Sequence, residues 1–308
     1  MTTTRSEDLR PLLFSLAYRM VGSAGDAEDL VQEAFLRLHR QQREETEIAS
    51  EKAFLTTVVT RLAIDHLRSA RVRREEYIGE WLPEPLLVDP GPAPSDEAEI
   101  SDTLSLAFLV VLESLSPLER AVFLLHDVFG YAHAEIAAVV GKSEENCRQI
   151  ASRARRAINE RRPRFDPSDE ERRRVAERFF AALAGDVSDI AAVLAEDVVM
   201  HGDGGGKVRS IARPLVGADR VSRAWANWAK LGLRLATRIE MTLVNGQPGA
   251  LLKTADGALL IVVSLDIIDG RVHEIHNILN PEKLDHLGPV ADANELMRAA
   301  RGAQPPAE

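Results

Sequence analysis

Apolar residues recur at helical spacing through the first half of the chain and change to alternating or continuous runs in the last third. Leu9, Leu12, Leu13, Leu16, Ala17 and Met20 share one side of a first helix. Gly22–Gly25 reads as a turn, with Asp26 capping a second helix to His39 whose inward residues are Leu30, Ala34, Phe35 and Leu38. A polar loop at 43–52 precedes a third helix over 53–67. From Leu115 to Ile158 three more helices follow. Pro117 stands at N1 after Ser116, Gly130 stops the first, and Ile136, Val139 and Val140 line the second. After Gly141, Ser143 can cap the third, with Ile150, Ala154 and Ile158 along one side. Beyond Pro163 and Pro167 the pattern predicts helices at 168–184, 190–194 and 218–230. Strands are expected at 198–201, 233–244, 250–254, 258–268 and 272–279. Helices followed by a curved antiparallel sheet predict an α+β cone.

The helix after Gly141 differs in kind, because Arg148, Arg153, Arg155 and Arg156 leave its open sides cationic. A short helix, a glycine turn and a basic helix make a helix-turn-helix, whose second helix can enter the major groove. Arginine can bind guanine there in a bidentate way, and glutamine adenine. The plain alternative is a solvated basic helix. Cys147 reads as a packing residue. A second basic cluster, Arg68, Arg71, Arg73 and Arg74, closes the 53–67 helix and would neutralise phosphates.

A net charge of −10 runs against nucleic-acid binding until its distribution is considered. Much of the net negative charge lies in residues 75–102, where five prolines exclude a continuous helix. Within it, Trp81-Leu-Pro-Glu-Pro-Leu-Leu87 is too apolar for a free tether and is expected to dock. One cysteine excludes an internal disulfide and fits a reducing cytoplasm. No apolar run reaches the length of a membrane span, and the N-terminus lacks a signal-peptide core, so a cytoplasmic location without membrane contact is expected.

The Asp26-Ala-Glu-Asp-Leu-Val-Gln-Glu33 stretch closely resembles region 2.1–2.2 of the extracytoplasmic-function sigma factors, within the sigma-70 family. That resemblance implies RNA polymerase core as partner, with Asp29, Gln32, Glu33 and Arg37 on the β′ clamp helices. The following helix resembles regions 2.3–2.4, implying −10 contacts by Arg61, Asp65, His66, Arg68, Arg71, Arg73 and Arg74, and base capture in the 43–52 loop. Phe54-Leu-Thr-Thr-Val58 departs from the family's Trp-Leu-Tyr-Arg-Ile, which leaves open which −10 sequence is read. The helix-turn-helix resembles region 4. It implies the β flap as a further partner and −35 promoter DNA contacts by Asn146, Arg148, Gln149, Ser152, Arg153 and Arg156. The last third resembles the SnoaL-like branch of the NTF2-like fold, and the whole set resembles ECF41/SigJ-like sigma factors. In those, the fused domain is thought to regulate the sigma modules in cis. The residues this implies are Trp81, Leu82 and Pro83, then Asp203, Gly204, Gly205, Gly206 and Lys207, then Asn280, Pro281, Lys283 and Leu284.

The expected architecture is therefore multidomain. Region 2 is a helical bundle over 1–74, an acidic linker fills 75–102, and region 4 spans 103–163. An α+β cone follows over 168–288, and 289–308 reads as a C-terminal tail. His201, Asp203, Asp266, His273 and His276 are the general-base candidates of the cone, by strand alternation His201 and Asp203 share a face, and packed or hydrogen-bonded roles are favoured for the histidines. Asn280-Pro281 marks a strand end and turn. No catalytic residue, metal or cofactor is expected; an unknown small ligand in the cone stays open, and the free chain is expected to be a monomer. The rival readings are a helix-turn-helix repressor or activator, against which the 26–39 helix argues, and an NTF2-like ligand-binding or small-molecule-converting protein with an attached DNA-binding module.

Overall fold

The computed structural model describes residues 6–44, 48–75, 77–87, 104–159, 168–184, 189–234 and 237–302. Contacts group them into two compact units, Met1–Glu76 with Phe108–Arg162, and Tyr77–Ala107 with Pro163–Glu308.

The first unit is all helix. A 3-10 turn, Ser6–Leu9, leads into α1 (Arg10–Val21), α2 (Ala24–Arg43) and α3 (Glu51–Glu75). Leu13, Leu16, Ala17, Met20, Ala27, Val31, Ala34, Phe35, Leu38, Leu55 and Val59 form their shared core. The cap of α2 is Ser23, whose Oγ accepts from Asp26 N–H at 3.1 Å, rather than Asp26. Leu30 is only half-buried, and Val31 takes the inward place. The third helix outlasts its expected end at 67, because no glycine or proline interrupts it before 75. α4 (Leu106–Leu112) and α5 (Pro117–Phe123) follow, the latter with a full capping box between Ser116 and Glu119. A π turn, Leu124–Val128, then ends at Gly130, φ 69°. α6 (His133–Val140) and α7 (Glu144–Asn159) complete the helix-turn-helix.

The helix-turn-helix part lies directly on α1 and α3 within this unit. Arg120, buried, donates to Met20 O at 2.6 Å and Leu112 O at 3.1 Å and pairs with Glu113 at 2.9 Å. Thr56 and Tyr131 join their hydroxyls at 3.0 Å.

In the second unit, α8 (Asp169–Ala184) and α9 (Ile190–Val193) precede β1 (Leu194–Asp203) and β2 (Leu215–Val216). Then come α10 (Ala218–Arg234), β3 (Arg238–Val244), β4 (Gln247–Lys253), β5 (Leu259–Ile268), β6 (Arg271–Ile278) and α11 (Ala293–Gly302). The sheet order is β2-β1-β6-β5-β4-β3. β3 to β6 form an antiparallel meander, but β1 pairs with β6 in parallel, so the sheet is mixed rather than antiparallel throughout. β3 starts five residues later than expected, since the apolar stretch around Leu231 continues α10 instead. α11 forms where a tail was expected. Asp292 caps it by accepting from Glu295 N–H at 2.9 Å, and Leu296 and Met297 pack on Val208, Leu260 and Leu279. One sheet face packs on α8 and α10 through Phe179, Phe180, Trp225, Met200, Val263, Leu265 and Ile275.

Candidate functional site

α2 buries Ala27, Val31, Ala34, Phe35 and Leu38, which leaves Asp29, Gln32, Leu36 and Arg37 exposed and Glu33 half-buried. Asp29, Gln32, Glu33 and Leu36 follow helical spacing and share one face. Leu36 is 51% exposed there, an apolar residue in a polar stripe. Sequence reasoning missed it, although its place at i+3 and i+4 from Glu33 and Gln32 was readable. Glu33 and Arg37 pair at 2.8 Å.

On α3, Arg61 is engaged inside the protein. It donates to Val139 O at 2.8 Å and Ala138 O at 3.1 Å, the carbonyl end of α6. Asp65 and Arg68 pair at 3.1 Å, and His66 stands 3.5 Å from Asp26. The side chains of Arg71, Arg73 and Arg74 lie outside the described residues, as do residues 45–47 of the base-capture loop and Arg161.

Gly141, φ 68°, turns the chain between α6 and α7, and Ser143 Oγ accepts from Asn146 N–H at 3.2 Å. Cys147, Ile150, Ala151, Ala154 and Ile158 are buried; burial pushes the Cys147 thiol pKa up, as suits a packing residue. The opposite side carries Arg148, Gln149, Ser152 and Arg153 around one open groove, with Arg156 exposed beside it. Arg148 pairs with Glu144, and Gln149 donates to Glu145 at 3.3 Å. Arg155 instead braces the π turn through Asp127 at 2.5 Å and His126 at 2.9 Å.

The most elaborate polar network lies in the second unit, where residues 77–87 run along the sheet face opposite α8 and α10. Asp203, fully buried at the end of β1, accepts from Tyr77 Oη at 2.6 Å, Leu82 N–H at 2.8 Å, Gly205 N–H at 2.9 Å and Lys283 Nζ at 2.6 Å. Lys283, 6% exposed, also donates to Leu82 O. Its ammonium lies 4.2 Å from the Trp81 ring centroid and 5.1 Å from that of Tyr77. Asn280 caps the turn Pro281–Lys283 and donates to Tyr77 Oη at 2.9 Å. Burial, reinforced by Asp203, drives the Tyr77 pKa upward. Leu82, Pro83, Pro85 and Leu284 are buried. The three glycines are sterically required. A Cβ on Gly204 would meet Val208 O at 2.1 Å, and one on Gly205, φ 60°, would meet Asn280 at 2.3 Å. Lys207 pairs with Glu282 at the surface.

Farther along, Asn245 exchanges two bonds with Leu86, each at 2.8 Å, and donates to Leu104 O at 3.0 Å. His286 meets Pro85 O at 2.9 Å. Tyr77, Glu80, Asn245 and His286 are thus site residues that sequence reasoning missed. Asn245-Gly246, with φ of 54° and 77°, is a two-residue hairpin signal that could have pointed to this turn.

His201 and Asp203 share the linker-facing side of the sheet, as expected, and the register places His276 and Asp266 on it too. His201 Nδ1 stands 2.7 Å from Glu80 Oε1, and its ring stacks on His276 at 4.9 Å. Burial alone would lower the His201 pKa, but Glu80 and Glu274 outweigh it and raise it. Burial lowers that of His276, partly offset by Glu274. His273 lies apart, 3.9 Å from Asp197. The cone's cavity, about 510 Å³, opens on the other sheet face. Trp225, Trp228, Met241, Leu252 and Met297 line it, and its ionisable residues are Glu177 and Arg209. None of the five acid–base candidates borders it.

Comparison with known proteins places these features. Residues 6–73 match the Sigma-70 region 2 family, and residues 105–158 match Sigma-70, region 4. The ECF RNA polymerase sigma factor SigJ of Mycobacterium tuberculosis is 39% identical over 296 residues, 92% of this chain and 93% of that protein. The probable ECF RNA polymerase sigma factor SigI of the same species is 38% identical over 285 residues, 90% and 93% of the two chains. The crystal structure of M. tuberculosis SigJ superposes with a TM-score of 0.72 at 37% identity, covering 91% of this chain and 96% of that one. The chain therefore belongs to the extracytoplasmic-function sigma factors, which bind core RNA polymerase and promoter DNA to start transcription, and it carries an α+β unit behind its two sigma modules.

Proposed function

We propose that the NTF2-like unit regulates the sigma modules in cis by holding the connecting segment 77–87. The observation that carries this reading is the buried Asp203–Lys283 pair, which closes on the Leu82 backbone and the Tyr77 and Trp81 rings. A segment joining regions 2 and 4 that is held this way has its freedom set by the domain behind it. On this reading the modules are residues 1–74 and 103–163, with 168–288 as the regulator. Asp29, Gln32, Glu33, Leu36 and Arg37 meet the β′ clamp helices, and region 4 meets the β flap. Asn146, Arg148, Gln149, Ser152, Arg153 and Arg156 contact the −35 element. Asp65, His66, Arg68, Arg71, Arg73 and Arg74 contact the −10 element, and Arg61 joins them once region 4 releases it. The chain acts in the cytoplasm, free as a monomer, and catalyses no reaction. Run-off transcription with core polymerase tests this, comparing the full chain, a chain ending at Arg164 and Asp203→Asn. Identical rates from all three would refute cis regulation.

A second role rests on the cavity. Its apolar walls and the buried Trp225 Nε1, which has no hydrogen-bond partner among the described residues, suit a small apolar ligand bearing one acceptor atom. Titration of Trp225 and Trp228 fluorescence with an apolar naphthalene sulfonate probe tests it. Saturable quenching in the parent that vanishes in Leu252→Trp supports the role, and unsaturable quenching refutes it.

A further inference from the structure

Glu274 and His276 are two residues apart on β6, so the pleat points both to one face, and His201 stands beside His276 in the β1 register. One nitrogen of each histidine and one carboxylate oxygen lie within 4.8 Å of one another. Glu274 Oε2 is 3.3 Å from His276 Nε2 and 3.9 Å from His201 Nε2. His276 is 1% exposed, and its Nε2 makes no well-aligned hydrogen bond among the described residues despite that short distance. A buried polar atom left so is costly, and a ligand would relieve that cost. Two atoms bound at about 2.0–2.1 Å to a tetrahedral ion stand about 3.4 Å apart, a separation the Glu274–His276 pair already has. His201 Nδ1 faces Glu80 Oε1 at 2.7 Å. An ionised carboxylate only accepts, so in the neutral ring the proton sits on Nδ1 and the Nε2 lone pair is turned toward the cluster. A carboxylate behind an imidazole in this way is the usual outer partner of a metal-bound histidine.

We propose that His201, Glu274 and His276 form a binding site for a divalent transition-metal ion, with Glu80 of the connecting segment orienting His201. Two imidazoles and one carboxylate suit Zn²⁺ or Co²⁺, whereas Mg²⁺ and Ca²⁺ take oxygen ligands. Asp266 faces Glu274 across the β5–β6 pair and adds favourable negative charge. Because Glu80 lies in the segment 77–87, ion binding and docking of that segment are linked, each strengthening the other by the same factor. The site stands on the second unit's own geometry and does not depend on cis regulation of transcription.

The test uses the full chain, stripped with chelator and titrated with Co²⁺ while its visible absorption is followed. One saturating equivalent is expected, retained in Cys147→Ser and lost in His276→Ala and in the near-isosteric Glu274→Gln. Glu80→Gln should weaken binding by about 10- to 100-fold, as loss of an outer carboxylate does. Zn²⁺ should also slow amide exchange at Leu82 and Leu86 in the parent and not in Glu274→Gln. No saturable Co²⁺ binding by the parent, or binding that both Glu274→Gln and His276→Ala leave unchanged, overturns the site.

Discussion

Replacing Asp203 by Asn keeps the size of the side chain but removes the carboxylate that stands 2.6 Å from the Lys283 ammonium. The ammonium is then held by Leu82 O and two aromatic faces, at a position only 6% exposed. Removing one partner of a buried ion pair costs about 3–5 kcal/mol. Where that cost appears follows from the geometry. Trp81, Tyr77 and Leu82 O, which cover the ammonium, all belong to the docked segment. Undocking lets Lys283 reach water, so the penalty falls on docking rather than on the sheet. The docking equilibrium should drop by about a hundredfold to a few thousandfold. Hydrogen exchange at the Leu82 amide, which donates to Asp203 at 2.8 Å, reads this directly. Thermal unfolding of the sheet should change little. Asp203→Asn combined with Lys283→Met should recover most of the protection, since the stranded charge is gone. Leu82 protection within about threefold of the parent in the single variant, a shift under 1 kcal/mol, would refute the reasoning, and so would a double variant no better than the single.

Three further outcomes are expected. Arg148→Ala should cost about 1–3 kcal/mol in −35 binding and relax specificity at one base pair, whereas loss of the exposed Arg156 should weaken all sequences alike; gel-shift profiles over single-base variants distinguish the two. Asp29→Arg and Leu36→Asp should each weaken co-purification with core polymerase while leaving the helical circular-dichroism signal intact, because both side chains are exposed on α2. Arg120→Ala should lower the stability of the first unit by about 3 kcal/mol, read by urea unfolding, since it strips donors from the Met20 and Leu112 carbonyls and removes the pair that the buried Arg120 makes with Glu113.

The helices of the sigma modules were legible because their signals are local. Ser116-Pro117 with Glu119, Gly130, Gly141 and Ser143 each act within one turn, and each sits where its own backbone chemistry requires. The docking of Trp81-Leu-Pro-Glu-Pro85 was legible too, since a chain with four apolar side chains there has to cover them. Its partners were only half visible. Asp203, Lys283 and Asn280 could be named by resemblance, but Tyr77, Glu80 and His286 carry no pattern of their own. They matter only because β1, β6 and the turn after β6 end side by side. The parallel β1–β6 pairing escaped for the same reason, because local alternation fixes which face a residue takes and not which strand lies beside it. That non-local pairing decides the chemistry. It places His201 beside His276 and over Glu80, and it puts His201, Asp203, Asp266 and His276 on the face away from the cavity. The same alternation that read His201 and Asp203 as one face therefore assigns them to the connecting segment, and leaves the cavity to apolar side chains that periodicity alone would count as ordinary core.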